Sequence, residues 1–147
     1  ALEEDPIDPE LWLNYGVALL RVKRVAEART ALERGLAQTR PADAPISPDT
    51  RPMTPADIAK LYVNLAVAAI GQKDLKAAEH HFKEALKINS NSFEAAFNLA
   101  LLTSSQGQIS QAIFYLEKAY AIRPDPKIPP LIEKIRRETR LQIKPHR

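Results

Sequence analysis

The chain has 147 residues, of which 45% are hydrophobic and 27% charged, with 4 glycines and 12 prolines; this suits one folded helical domain and excludes both wholesale disorder and two large lobes. No run approaches the ~18 continuous apolar residues that a membrane helix needs, and the absence of cysteine removes disulfides, thiolate metal sites and cysteine nucleophiles while leaving the compartment open. The net charge of +3 is uneven, because residues 121–147 hold eight Lys/Arg against three Asp/Glu and the rest is slightly acidic, so overall basicity is no argument for nucleic-acid docking.

An interior proline costs a helix ~3 kcal/mol. The grouped prolines therefore confine long helices to windows 10–40 and 56–123, and the second window is 68 residues, two periods of 34. A shift of 34 aligns 59–92 with 93–126 without a gap and pairs Asn64 with Asn98, Leu65 with Leu99, Ala66 with Ala100, Gln72 with Gln106, Ala78 with Ala112, Ala85 with Ala119 and Ile88 with Ile122. A third copy of the pattern at 9–42 carries Trp12, Gly16, Ala28 and Leu32, with Gly35 at a place where the other two have alanine.

In chain order, residues 1–8 read as the last turns of an upstream unit, since Ala1 and Pro6 keep its register, and the natural protein is expected to continue upstream. Residues 9–42 form the first helical pair, opened by Asp8-Pro9-Glu10. Residues 43–58 interrupt the period with a Pro-, Asp-, Ser- and Thr-rich insertion, read as a surface loop over 43–53 followed by an extra helical turn started by Thr54-Pro55. The units 59–92 and 93–126 follow, Asp74 being placed to cap the second helix of its pair. Residues 127–147 complete the chain with a helix near 130–141, whose Leu131, Ile132 and Ile135 cover the last pair and whose Lys134, Arg136, Arg137 and Arg140 stay wet, and a basic tail.

Small residues at Gly16, Ala66 and Ala100 let the first helix of each pair approach the second, where Ala28, Ala78 and Ala112 are equally slight. Trp12, Tyr62, Phe82 and Leu116 recur at helical spacing, and a bare pair buries them only when a neighbour stacks alongside. These residues resemble the tetratricopeptide repeat, a 34-residue helix-turn-helix unit. The resemblance implies an all-α fold, a right-handed superhelix of about seven helices in which three pairs stack and a carboxyl-terminal helix closes the array.

Motifs for chemistry are sparse. Gly71-Gln72-Lys73-Asp74 lacks the upstream glycine and the Lys-Ser/Thr pair of a phosphate loop and reads as a turn. His80, His81 and Glu84 lie close on one helix, yet no further ligand is identifiable, so they read as solvent-exposed positions rather than a metal centre. No catalytic residue, metal or cofactor is expected, and the fragment is not read as an enzyme.

The resemblance also implies that the first helices line an inner groove. Position 6 of the repeat is Asn14, Asn64 and Asn98. An amide both donates and accepts, so amides one repeat apart can bond an extended backbone whatever its side chains; this resembles the asparagine ladder of the O-linked N-acetylglucosamine transferase superhelix. Leu13, Val17, Val63, Val67, Phe97 and Leu101, with Lys60 at a polar end, complete the expected partner-binding groove. Members of the family that clamp a terminal carboxylate place Lys, Asn, Lys and Arg where Leu13, Val17, Glu94 and Asn98 stand, so that clamp is not expected. The expected function is a protein-interaction scaffold whose partner is a peptide or amphipathic helix with apolar side chains. The alternatives are a self-association module or the substrate-selecting arm of a larger enzyme such as a glycosyltransferase.

Overall fold

The computed structural model describes residues 9–39 and 53–143, and among them holds seven α-helices and no strand. The expectations for residues 1–8, for the Asp8 cap, for the loop over 43–52 and for the extreme carboxyl-terminal tail lie outside the described residues. The chain divides into two compact units, 1–90 and 91–147.

The first unit contains α1 (Pro9–Arg21), α2 (Val25–Ala37), α3 (Pro55–Gly71) and α4 (Leu75–Ile88), in which α1 pairs with α2, α3 pairs with α4, and α3 also packs on α2 and α1. The closeness of α1 and α2 follows from Gly16: a Cβ built there would lie 2.5 Å from Cγ of the fully buried Leu32. Leu32 in turn meets Leu13, Leu61 and Leu65 in one cluster, with Val17, Leu20, Leu36 and Met53 packed around it. Phe82 is wholly buried on α4. Each such side chain contributes about 1.5–3 kcal/mol by leaving water.

The extra turn at the start of α3 has a chemical cause. The Thr54 hydroxyl accepts from the Asp57 amide at 3.2 Å, the Asp57 carboxylate accepts from the Thr54 amide at 3.4 Å, and Pro55 occupies a first-turn place that needs no N–H. Asp74 caps α4 by accepting from the Ala77 amide at 3.2 Å.

The second unit contains α5 (Phe93–Ser105), α6 (Ile109–Ile122) and α7 (Ile128–Ile143). Ser92 caps α5 through the Ala95 amide. Thr103 is fully buried on α5, and its hydroxyl donates to the Leu99 and Ala100 carbonyls of its own helix, so no polar group is stranded. The closing helix starts two residues earlier than the sequence suggests: Pro129 and Pro130 lie inside its first turn, where a missing N–H costs nothing, and Ile128 is buried with Ile132 and Ile135 while Leu131 is only half-buried. Arg136 ties α7 to α6 through Glu117 at 3.6 Å and meets Glu133 at 3.2 Å within its own helix.

All three helical pairs turn in the same way. Lys23, Lys73 and Gly107 occupy the same repeat position and have φ of 63°, 60° and 76°. At each, the amide of that residue bonds back three residues and the next amide bonds back five, as in Asp74 N to Ala69 O at 2.8 Å and Gln108 N to Thr103 O at 2.9 Å. This is the Schellman end of a helix, and it explains Gly71-Gln72-Lys73-Asp74 as a turn. Glycine takes the left-handed conformation without strain; the two lysines hold it against a cost of about 1 kcal/mol.

Candidate functional site

The expected groove residues fall into two classes. On α1, Asn14 is exposed and Val17 half-buried, whereas Leu13 retains 7% of its surface. On α3, Lys60 is exposed, Asn64 is half-buried, and Val67 and Ile70 keep 39% and 41% of their surface, while Val63 keeps 9%. Leu13 and Val63 are thus the most buried of the expected groove residues. Leu13 stands beside the groove positions in sequence, yet α3 lies against α1 and α2, and the side chain is drawn into the cluster of Leu32, Leu61 and Leu65. In the second unit, Glu94 is exposed, Phe97 and Asn98 are half-buried, and Leu101 keeps 43% of its surface.

The amide of Asn64 is partly engaged already. Asn64 Nδ2 donates to the Lys60 carbonyl of its own helix at 2.8 Å, which holds the side chain in one orientation and leaves the amide oxygen to accept from outside. Phe97 stacks on Phe93 with ring centroids 5.6 Å apart and planes 9° from parallel, and the Arg123 guanidinium lies 4.3 Å from the Phe93 centroid and 3.9 Å from the Glu94 carboxylate. The sequence reading missed Phe93 and Arg123. The signal was there in the spacing of Phe93, Phe97 and Leu101 by four, which sets them along one stripe of α5.

The histidines part company. His80 is exposed, as expected, but His81 is half-buried, its ring centroid 6.0 Å from that of Tyr62, with Nδ1 sealed from solvent and without a hydrogen-bond partner. Burial holds its pKa below the ordinary histidine value, helped by the neighbouring His80 and Arg29 charges and opposed by Glu33 and Asp74. The folded state thus favours the neutral ring, and the unfolded chain takes up the proton first as pH falls through about 6.5. Stability should drop between that pH and the lower folded value. His81→Tyr, which places the residue that Tyr115 supplies in the next repeat, should make the melting temperature fall less between pH 8 and pH 5; an equal fall in both proteins would count against this. Among the described residues no cluster of three or more His, Cys, Asp and Glu could hold a metal ion.

Three helical pairs with one turn geometry, small residues at the close approaches and a 34-residue period find their counterpart in two family models, both described as tetratricopeptide repeat, which match residues 57–125 and 1–44. The chain belongs to the tetratricopeptide repeat family. The comparison with curated proteins returns no match. Among solved structures, the first tetratricopeptide domain of Spaghetti (RPAP3) bound to the HSP90 peptide SRMEEVD is similar at a TM-score of 0.72 and 16% identity, with 95% of this chain and 98% of that one covered. The Arabidopsis OM64 tetratricopeptide domain is similar at 0.69 and 18%, with 88% and 95% covered. The Cut9–Hcn1 hetero-tetramer of APC/C gives 0.72 and 20% over 87% of this chain, which spans only 23% of the length of that one. At these identities the likeness is one of fold.

Proposed function

We propose that this tetratricopeptide repeat protein is a protein-interaction scaffold and that the asparagine-bearing faces of its first helices bind polypeptide segments carrying apolar side chains. The observation that carries the reading is on α3: Val67 and Ile70 keep about two fifths of their surface beside the oriented amide of Asn64. In the second unit Leu101, three residues after Asn98 as Val67 is after Asn64, is likewise exposed. Aliphatic groups left in water next to a fixed hydrogen-bonding group suit a ligand whose side chains are covered while its backbone is oriented. That a similar structure holds an HSP90 peptide supports a peptide ligand in this fold. The ligand chemistry differs from carboxylate capture, because Leu13, Val17, Glu94 and Asn98 offer no cation at the four clamp places. The reading gives the described residues no catalytic step.

The test is selection of binders from a displayed random-peptide library, followed by calorimetry on the best of them. The recovered sequences should be rich in aliphatic and aromatic residues without requiring a free carboxyl terminus. Val67→Glu should weaken binding by roughly tenfold or more, and Asn64→Ala combined with Asn98→Ala by about 1–3 kcal/mol. Both side chains at the mutated α3 positions are at least partly exposed, so the fold should survive. Binding that ignores all three changes would remove these faces from the function.

A further inference from the structure

The closing helix of the second unit carries a charged face that its own neighbours do not balance. α7 holds Lys134, Arg136, Arg137 and Arg140 against Glu133 and Glu138. Arg136 is engaged by Glu117 and Glu133. The other three cations have no ion pair among the described residues, and Arg140 donates to the Arg136 carbonyl at 3.5 Å. Lys134, Arg137 and Arg140 are all exposed and follow one another by three, so they run along one side of the helix and repel each other with Glu138 alone beside them. The helix dipole accounts for Arg140 in the last turn, but Lys134 and Arg137 lie further back. Among these cations stands Leu141, four residues after Arg137 and seven after Lys134, which keeps 64% of its surface.

We propose that this face binds an acidic amphipathic helix of a partner protein, whose carboxylates meet Lys134, Arg137 and Arg140 and whose apolar side chain covers Leu141. The unbalanced positive charge selects an anionic partner. A lipid surface fits less well, because an amphipathic helix enters a bilayer by its apolar face, and that of α7, with Ile128, Ile132 and Ile135, is already buried as α7 packs on α6. Single-stranded nucleic acid calls for aromatic stacking platforms, and α7 has no aromatic residue. The spacing favours a helix over an extended strand. Cations three residues apart are separated by about 4.5 Å along the axis, which carboxylates three and four apart on a second helix can match, whereas one face of a strand repeats at about 6.6 Å. The repeat does not assign this face to a following second helix either. The residue 34 places after Ala100, which itself follows Ala66 by 34, is Lys134, and its length and charge bar the close approach that the small residues allow.

This proposal is independent of the groove reading, which concerns α1, α3 and α5. Its test is fluorescence anisotropy of the whole chain with a labelled synthetic peptide of about 20 residues, long enough for a helix, built from Leu, Ala and Glu with the glutamates three and four apart. The peptide should bind, more weakly as salt is raised, and its glutamine-for-glutamate counterpart should bind roughly tenfold less tightly or worse. Lys134→Glu combined with Arg137→Glu should abolish binding with helical content unchanged, and this variant should instead take up the lysine-for-glutamate peptide. Leu141→Ser should weaken binding several-fold. Lys76→Glu combined with Lys87→Glu, an equal change of charge at exposed positions of the first unit, should keep it. The apolar peptides selected for the groove should bind the Lys134 and Arg137 double variant as before. Absence of binding by the acidic helix at low salt would overturn the proposal, as would its persistence in that double variant. Equal binding of a proline-interrupted peptide of the same composition, or tighter binding to phosphatidylserine vesicles or polyuridylate, would overturn it too.

Discussion

Phe82→Ala should cost the first unit about 3–5 kcal/mol, the range for removing a fully buried aromatic ring. Against a total stability of about 5–15 kcal/mol for a domain, that is enough to leave the α3–α4 pair marginal at ambient temperature. The value is high because the ring has no exposed edge to relax toward and because the neighbouring small residues, Ala66 and Ala78, are themselves fully buried and cannot expand into the space. Phe82→Leu should cost only about 1 kcal/mol, since a volume-near swap is tolerated and since Leu32 and Leu116 occupy the same repeat position in the other two pairs, each fully buried. Urea denaturation followed by circular dichroism gives both numbers. A loss for the alanine variant no larger than for the leucine variant would show that this position is not the keystone of its pair.

Gly35→Ala should destabilise the protein by about 1–3 kcal/mol, although alanine is the better helix former by about 1 kcal/mol. A Cβ at residue 35 would lie 2.8 Å from the Trp12 Cβ and 3.2 Å from Cδ2 of Leu61. Trp12 Cβ is fixed to the α1 backbone and cannot swing aside, so the two helices must move apart, and the buried contacts of Trp12 with Leu19, Ala28 and Ala31 loosen with them. The indole is held further by its Nε1 donating to Gln38 at 3.2 Å and by the Arg34 guanidinium 5.5 Å from the ring. The second repeat uses the other solution, Tyr62 with Ala85. Trp12→Tyr keeps the Cβ that Gly35→Ala meets and should leave the loss in place, whereas Trp12→Gly, which removes that atom, should couple with Gly35→Ala by about 1 kcal/mol or more in a double-mutant cycle. Strict additivity would show that the contact does not set the helix spacing.

The Gly35 case marks the boundary between what a sequence pattern carries and what packing adds. From sequence, the glycine is a departure at a place where alanine recurs; in the structure it is the complement of the largest side chain in the protein. The two places are 23 residues apart, so no helical periodicity links them, and only the pairing of α1 with α2 brings them together. Leu13 and Val63 teach the same lesson. The family resemblance puts them on a groove face with Asn14 and Asn64, and the periodicity of one helix defines directions around its axis but not which of two adjacent directions a neighbouring helix will cover. The position of α3 decided it for Leu13.

What the sequence by itself determined is local and periodic: helices bounded by proline, a unit of 34 residues, the caps at Thr54 and Asp74, and small residues wherever two helices must touch. Such features depend on bonds and contacts among residues a few places apart, or on repetition, and both can be read along one dimension. The tertiary structure alone decided which members of each apolar face are consumed by the core, as with Leu13, and which histidine has a ring nitrogen sealed from solvent, as with His81. The physical reason is that burial belongs to a pair of surfaces, and a chain names its own surface in every residue but its partner surface only once it has folded.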